Sequence, residues 1–249
     1  MLLTREFGYR MLLYRRTWRL SVVLNFVNPV LFLVGIGYGL GRLVGDTAGV
    51  GYLEFLAPGL LVASAMQTSA IETTMVMYES LRTRGSYRAA AMTPLGPADI
   101  FAGHLLFIGF RVLSTSAAFF LVMVVLGTVR TPMGLLAVPV ALLTSVAIAM
   151  PFAVLAMTIE NAGVLNGIRN VIMMPLYLLA GTFVPISQLP EPLQPIAQVL
   201  PLTFGVEVGR GCTTGMPSEH TLMYLLALTA IAAVGTVAAR YAFRRALTD

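Results

Sequence analysis

The run MGLLAVPVALLTSVAIAMPFAVLAMTI, residues 133–159, contains no charged side chain. A helix that crosses the hydrocarbon core of a bilayer needs roughly 20 mostly apolar residues, and this run is longer than that. Inside a bilayer the backbone polar groups can pair only within the protein, so such a segment must be helical. The run therefore predicts a membrane-spanning α-helix.

Five other stretches of the 249-residue chain have the same character. With the run above, the predicted spans cover residues 20–41, 56–78, 101–127, 133–159, 163–184 and 221–241. The composition agrees, because 57% of the residues are hydrophobic and only 11% are charged, whereas a soluble domain carries roughly 25% charged residues. The predicted fold class is an all-α membrane protein with six transmembrane helices.

The arginines predict the orientation of these spans, since cytoplasmic loops carry the excess of basic residues. All 16 basic residues of the chain are arginines. With the N-terminus in the cytoplasm, the inside segments hold Arg5, Arg10, Arg15, Arg16, Arg19, Arg82, Arg84, Arg88, Arg169, Arg240, Arg244 and Arg245. The outside segments hold Arg42, Arg130 and Arg210. Both termini are therefore predicted to be cytoplasmic, which requires an even number of spans.

Composition and motifs argue against several classes of function. The net charge of +5 does not predict a nucleic-acid partner, because the arginines lie at the ends of apolar runs, where they anchor a membrane protein. The two histidines, His104 and His220, fall on opposite sides of the predicted membrane, and no HExxH or GxSG sequence occurs. Neither catalytic residues nor a metal site are predicted. The single cysteine, Cys212, excludes an intramolecular disulfide.

The first 19 residues combine apolar and basic side chains. The arginines Arg5, Arg10, Arg15 and Arg16 alternate with Leu2, Leu3, Phe7, Met11, Leu12, Leu13 and Trp18. This pattern predicts an amphipathic helix over residues 1–19 that lies at the cytoplasmic interface, with its arginines toward the lipid headgroups. Its role is either simple anchoring or the positioning of a partner.

The first cytoplasmic loop, ESLRTRGSYRAAAMTPLGPAD at residues 79–99, contains good helix formers that end before Thr93-Pro94. We expect a short helix within residues 82–93 that exposes Tyr87 and Met92 beside Arg84 and Arg88. The loop could be a simple connector. A protein contact is favoured, because a short helix facing water has no core in which to bury its apolar side chains.

The segment GTFVPISQLPEPLQPIAQVLPLTFGVEVGRGCTTGMPSEH, residues 181–220, is divided by prolines into apolar pieces too short to cross a membrane. We expect residues 185–212 to form re-entrant half-helices on the outer side, before the last span. An irregular backbone at such depth must be buried against protein. A mobile loop is the alternative, and it would leave the apolar side chains of this segment without cover.

A few polar residues fall inside the predicted spans. Glu72 lies about two turns from the cytoplasmic end of the second span, and Arg111 lies about two to three turns into the third, so that each is costly to bury alone. Their similar depths predict that they approach each other, either as a structural pair or at a substrate site. Asn25 and Asn28 in the first span are expected to hydrogen-bond across helices or to accompany a kink at Pro29. His104 is expected to lie at the interface.

The proline-rich segment resembles the signature of the ABC-2 type transporter permeases. The match rests on Gly181, Phe183, Pro185, Leu189-Pro190, Leu193, Leu200-Pro201-Leu202-Thr203, Glu207 and Arg210. In that family a histidine or similar polar residue follows the Leu-Pro-Leu-Thr run, and here Phe204 stands in its place. No functional histidine is therefore carried over.

Blocks across the rest of the chain are similar to the nodulation-factor (lipo-oligosaccharide) exporter branch of the same family. They are Asn28-Pro29, the glycine-rich run 35–41, Phe55-Leu56-Ala57-Pro58-Gly59, Ala65-Met66 with Glu72, and Thr93-Pro94-Leu95 with Asp99-Ile100. The resemblance implies a permease subunit in the inner membrane of a bacterium, with a coupling helix in the first cytoplasmic loop. The residues of that helix that would contact an ATPase are Arg82, Arg84, Tyr87, Arg88 and Met92.

The resemblance also implies the partners. The chain has no GxxxxGK[ST] loop that could hold a nucleotide, so it should bind no cofactor, and ATP and Mg would be bound by a separate ATPase. The expected complex contains two ATPase subunits and a second permease, identical or related. Spans rich in Leu, Val, Ala, Met and Phe favour an amphiphilic cargo such as a drug, lipid or glycolipid.

Two other readings compete with this one. In an ion-coupled secondary transporter Glu72 would carry a proton, and the chain would show a repeat of its spans; no convincing repeat occurs. A purely structural membrane scaffold would not need the signature before the last span.

Overall fold

A computed structural model describes residues 3–39, 41, 46–47 and 49–248. Four residues named in the predictions lie outside the described residues. They are Met1 and Leu2 of the predicted interfacial helix, Leu40 of the first predicted span, and Arg42, one of the arginines assigned to the outside. The described chain is almost entirely helical. A short antiparallel hairpin is formed by β1 (Asp46–Thr47) and β2 (Val50–Gly51).

The helices follow the order of the predicted elements. They are α1 (Leu3–Phe32), α2 (Tyr52–Ile71), α3 (Ser86–Ala91), α4 (Pro97–Val125), α5 (Ala137–Thr158), α6 (Ala162–Leu179), α7 (Gln194–Gln198), α8 (Pro201–Thr214) and α9 (Thr221–Thr248). The π-helical segments are Leu33–Tyr38, Glu72–Val76 and Glu79–Thr83, and the 3₁₀ turns are Pro132–Leu136, Ile186–Gln188 and Glu191–Leu193. The wider π-helical turn frequently occurs at functional sites.

Four helices within the described residues are long and apolar enough to cross a membrane. They are Pro97–Val125, Pro132–Thr158, Ala162–Leu179 and Thr221–Thr248. Each of them overlaps one of the last four predicted spans. With the helical content of the chain, they confirm the predicted class of an all-α membrane protein.

The N-terminal helix differs from the prediction in its continuity. The sequence predicts an interfacial helix ending at residue 19 and a separate span beginning at residue 20, but α1 runs without a break from Leu3 to Phe32. The side chains of α1 change from basic to apolar along the helix, so its first part favours the membrane interface and its later part favours the hydrocarbon core. It does not interrupt the backbone hydrogen bonds, because Pro and Gly are absent from the junction.

Local sequence sets several helix ends. Pro97 occupies the first turn of α4, where its missing N–H is not needed. Between α5 and α6, the side chain of Asn161 accepts hydrogen bonds from the backbone N–H groups of Gly163 and Val164, at 2.8 and 3.2 Å. This cap satisfies donors that the first turn of a helix leaves unpaired.

The centre of the bundle is formed by α2, α5 and α8, with α9 packed along α5 and α1 along α4. At the contact between α8 and α5, a Cβ on Gly205 would lie 2.2 Å from Oγ1 of Thr144, so only glycine allows this approach. In contrast, α6 buries only Leu165 and Leu176 among its residues. Most of α6 is therefore left uncovered within the single chain.

Candidate functional site

The short helix α3 is held to the bundle by Tyr87, whose side chain is fully buried. The chain enters α3 through Gly85, whose φ of +63° is a conformation that favours glycine. The Tyr87 ring packs edge-to-face on Phe243 of α9, with centroids 4.9 Å apart. Its hydroxyl shares a hydrogen bond with Nδ1 of His104 on α4. Tyr87 thus joins α3 to α4 and to the last helix.

The N-terminal helix also reaches Tyr87. The guanidinium of Arg10 lies 5.2 Å from the centre of the Tyr87 ring, and its Nε donates to Oε1 of Glu6 at 2.9 Å. Burial raises the pKa of Tyr87 and of Glu6, and in both cases the Arg10 charge opposes that rise. The Tyr87 phenol therefore keeps its hydrogen, and α1, α3, α4 and α9 all meet at this one ring.

This geometry corrects the prediction that Tyr87 is exposed. A helix of six residues has one face toward the bundle, and the aromatic ring occupies it because Arg10 of α1, His104 of α4 and Phe243 of α9 all contact this ring. Met92 is 91% exposed, as the sequence analysis expects. Arg84 and Arg88 are also exposed. Tyr87 accordingly faces the bundle, whereas Arg88 and Met92 are exposed.

The arginines around α3 differ in their contacts. Arg84 pairs with Glu79 at 2.6 Å, and Arg82 lies 3.6 Å from the exposed carboxylate of Glu160, which follows α5. Arg88 and Met92 make no hydrogen bond or ion pair through their side chains within the described residues. Of the five predicted coupling residues, these two are the least engaged by the chain itself.

Glu72 and Arg111 meet inside the bundle, as the sequence analysis expects from their depths. Arg111 Nε donates to Oε1 of Glu72 at 3.2 Å, and the guanidinium lies 5.1 Å from the ring centre of Tyr14 on α1. Glu72 begins a π-helical segment. Its second oxygen, Oε2, is buried without a hydrogen-bond partner among the described residues. The pair therefore links α1, α4 and the end of α2.

The two asparagines of the first predicted span behave differently. Asn25 accepts a hydrogen bond from Thr115 of α4 at 3.4 Å, which joins two helices. Asn28 is exposed within the single chain and borders a cavity of about 220 Å³ together with Pro29. Pro29 lies inside α1, and the helix continues through it.

At the opposite end of the bundle, Arg210 ties the proline-rich segment to α2. Its guanidinium donates to the carbonyl oxygens of Gly181 at 2.8 Å and Phe55 at 3.3 Å, and to Glu207 Oε1 at 2.9 Å. It also lies 3.8 Å from the centre of the Phe55 ring. The structure therefore brings together Gly181, Glu207 and Arg210 from the predicted outer motif.

The prolines of that motif have other roles. Pro201 begins α8, and Pro185 and Pro190 each precede a short 3₁₀ turn. Neither Pro185 nor Pro190 makes a hydrogen bond with Arg210. Within the single chain the first part of this segment is not covered by protein, since Ile196 is 50% and Val199 is 69% exposed. Only α8 is well buried, because its small residues let it pack closely on α2 and α5.

Some structural residues escaped the sequence analysis. The full burial of His104 within the bundle and the packing role of Phe243 follow from no pattern in the sequence. The amphipathic pattern predicts that Arg10 faces the lipid headgroups, but only 4% of the residue is exposed. The one available signal was Glu6, four residues before Arg10, because a carboxylate and an arginine at this spacing can pair on a helix.

Comparison with known proteins provides the family. Residues 3–213 match the family model described as ABC-2 type transporter. The chain belongs to the ABC-2 type transporter family. It is 29% identical to Nodulation protein J of Sinorhizobium fredii, over 84% of this chain and 79% of the relative. Nodulation protein J of Bradyrhizobium diazoefficiens is 28% identical over 95% and 90% of the two chains.

A more distant relative is the inner membrane transport permease YadH of Escherichia coli, 22% identical over 77% of this chain and 74% of the relative. ABC-2 permeases are the multi-pass membrane components of transporters, found in bacteria in the inner membrane, and they work with ABC ATPase subunits. They are not themselves enzymes and bind no cofactor of their own. Membership of this family favours the ATP-driven reading over the ion-coupled one.

Proposed function

We propose that this ABC-2 permease is one half of the membrane part of an exporter that moves an amphiphilic drug, lipid or glycolipid out of the cytoplasm. Two such permeases, identical or related, would work with two ATPase subunits that bind ATP and Mg. The absence of a phosphate-binding loop from the sequence supports a separate source of energy. The similarity to Nodulation protein J supports a lipid or glycolipid cargo more than a drug.

The proposed topology has six spans and two cytoplasmic termini. The first span would use the apolar end of α1 with the segment Leu33–Tyr38, and the second would use α2 with its π-helical continuation. The N-terminal part of α1 would lie at the cytoplasmic interface. The half-helices α7 and α8 would form the re-entrant outer segment. The excess of arginines at the end of the bundle that carries α3 supports this orientation.

The observation that carries the proposal is the position of α3. Its outer face presents Arg88 and Met92, while Tyr87 on its inner face contacts groups on α1, α4 and α9. Movement of an ATPase against α3 would therefore displace these three helices together. Such a packed connection can couple a nucleotide site to a distant transport path.

A mostly apolar cavity supports an amphiphilic cargo. It has a volume of about 510 Å³ and lies between the end of α1, α2 and α6. Its wall includes Met66 and Met173, and its polar members are Gln67, Arg169 and Asn170. Methionine surfaces adapt to irregular apolar ligands. Because α6 is largely uncovered, we place the second permease against this face and the transport path between the two copies.

The test is to isolate the permease from its host together with any ABC ATPase that it retains, and to reconstitute the two. In proteoliposomes, candidate lipids and drugs should stimulate ATP hydrolysis, and Arg88→Glu should abolish the stimulation while the permease stays folded. A cysteine in place of Met92 should cross-link to the ATPase, whereas one in place of the similarly exposed Val125 should not. An ATPase that binds the Arg88→Glu variant as tightly as the native chain would refute the role of α3.

A further inference from the structure

A second cavity, of about 370 Å³, lies between the N-terminal part of α1, the π-helical segments that follow α2, and α4. Its charged lining consists of Arg10, Arg16, Arg84, Arg111 and Glu72. Side chains of serine, threonine and tyrosine complete the polar part of the wall, and Leu13 and Phe107 supply an apolar part. The cavity is therefore basic on one part of its surface and apolar on another.

The arginines of this cavity are not equally neutralised by the protein. Arg10 pairs with Glu6, and Arg84 pairs with Glu79. Arg111 uses its Nε for Glu72, and its two terminal nitrogens have no hydrogen-bond partner in the part of the chain that the structure describes. Arg16 has no ion pair there either. Donors on Arg16 and Arg111 are thus left for a ligand.

Guanidinium groups bind phosphate oxygens through charge-assisted hydrogen bonds, often in pairs. The basic and apolar character of α1 is that of a helix at a membrane interface, where phospholipids place their phosphates. A phospholipid would also fill the apolar part of the wall with its glycerol and the first carbons of its chains. A soluble phosphate ester would leave that part of the wall in contact with water.

We propose that this cavity binds a phosphate group, supplied by the headgroup of a membrane phospholipid. Arg111 and Arg16 donate hydrogen bonds to the phosphate oxygens. Glu72 holds Arg111 in place and offsets part of its charge, so that the bound lipid can leave. The assignment requires neither the ATPase nor the proposed cargo.

Native mass spectrometry of the full chain in detergent tests this site. The probes are dioleoyl phosphatidylglycerol and a diglucosyl dioleoylglycerol, which has the same acyl chains and no phosphate, with inorganic phosphate as competitor. We expect saturable binding of the phospholipid and much weaker binding of the glucolipid. Inorganic phosphate should displace the phospholipid. Equal retention of the two lipids would overturn the proposal.

Variants separate direct contact from overall charge. Arg16→Gln should weaken phospholipid binding about tenfold, the loss typical of one charge-assisted hydrogen bond. The double variant Glu72→Gln/Arg111→Gln keeps the net charge and should weaken it as much, whereas Glu72→Gln alone should strengthen it. Arg15→Gln is the matched control and should change nothing, because Arg15 is exposed beside Arg16 on α1 and lines neither cavity. Thermal unfolding followed by circular dichroism establishes that each variant is folded.

Two results would count against the assignment in different ways. Native affinity in both Arg16→Gln and the double variant would remove the site. If inorganic phosphate binds with the expected dependence on Arg16 and Arg111 but the phospholipid does not, the site takes a soluble phosphate and the lipid source is wrong.

Discussion

Tyr87 and His104, on helices α3 and α4, share a hydrogen bond in a region where neither side chain reaches solvent. The bond makes the short loop helix a fixed part of the bundle. Because Phe243 and Arg10 contact the same ring, a displacement of α3 acts on both ends of the chain at once.

Tyr87→Phe should lower stability while it keeps the ring and its packing on Phe243. The substitution leaves Nδ1 of His104 buried without a partner, and we expect a loss of about 1–3 kcal/mol. Thermal unfolding of the purified chain in detergent measures the change. Tyr9→Phe is the matched control, because Tyr9 is exposed on α1 and lacks a side-chain hydrogen bond among the described residues. Equal losses in the two variants would contradict this role for the Tyr87 hydroxyl.

Arg111→Gln should be more damaging than the loss of both charges. It leaves the buried Glu72 carboxylate unpaired, and the removal of one partner from a buried pair typically costs about 3–5 kcal/mol. Glu72→Gln/Arg111→Gln should recover most of that stability, since two amides can share a hydrogen bond. Exchange of the two charges between the positions should restore export if the pair is structural. No recovery in either double variant would show that the two residues act independently.

Arg210→Lys should loosen the proline-rich segment although it keeps the charge. A lysine ammonium cannot reach the carbonyls of Gly181 and Phe55 and the Glu207 carboxylate together from the position of the planar guanidinium. Hydrogen exchange of the backbone around Gly181 should become faster by about tenfold or more, in line with the loss of one or two hydrogen bonds. Exchange in α3, at the other end of the bundle, serves as the internal control and should not change.

Gly205→Ala should weaken the contact between α8 and α5, because the new methyl group would collide with the Thr144 side chain. We expect a loss of about 1–3 kcal/mol, the usual cost of overpacking, and partial recovery in Gly205→Ala/Thr144→Ala. Gly209→Ala, one turn later on the same helix, is the comparison. Its methyl group would meet Val62 at an ordinary distance of 3.4 Å, so this variant should unfold at about the native temperature.

The sequence predicts the elements of this fold better than their contacts. A long run without charged side chains predicts a membrane helix, because backbone polar groups in the hydrocarbon core must pair with each other. This requirement can be recognised from composition alone. The same argument predicts the contact of Glu72 with Arg111. Two ionisable side chains at similar depth in an apolar medium are each stabilised by the other, whatever the detailed packing.

The position of Tyr87 could not be predicted in this way. Its pocket is built from Arg10, His104 and Phe243, which are widely separated in the sequence, and no local pattern indicates that they converge. Exposure was the natural expectation for an aromatic ring in a short polar loop. Likewise, the charge pattern of the first residues indicates an interface but does not say whether the helix breaks on entering the membrane, and α1 does not break.

The pocket of Tyr87 has a consequence for biosynthesis. The ribosome makes α3 long before α9, so the ring lacks its Phe243 neighbour until the last helix has been inserted into the membrane. An ATPase that recognises the outer face of α3 meets that face in its native setting only after α9 has arrived. If α3 is the coupling helix proposed above, a truncated permease would offer the ATPase an α3 that lacks its Phe243 support.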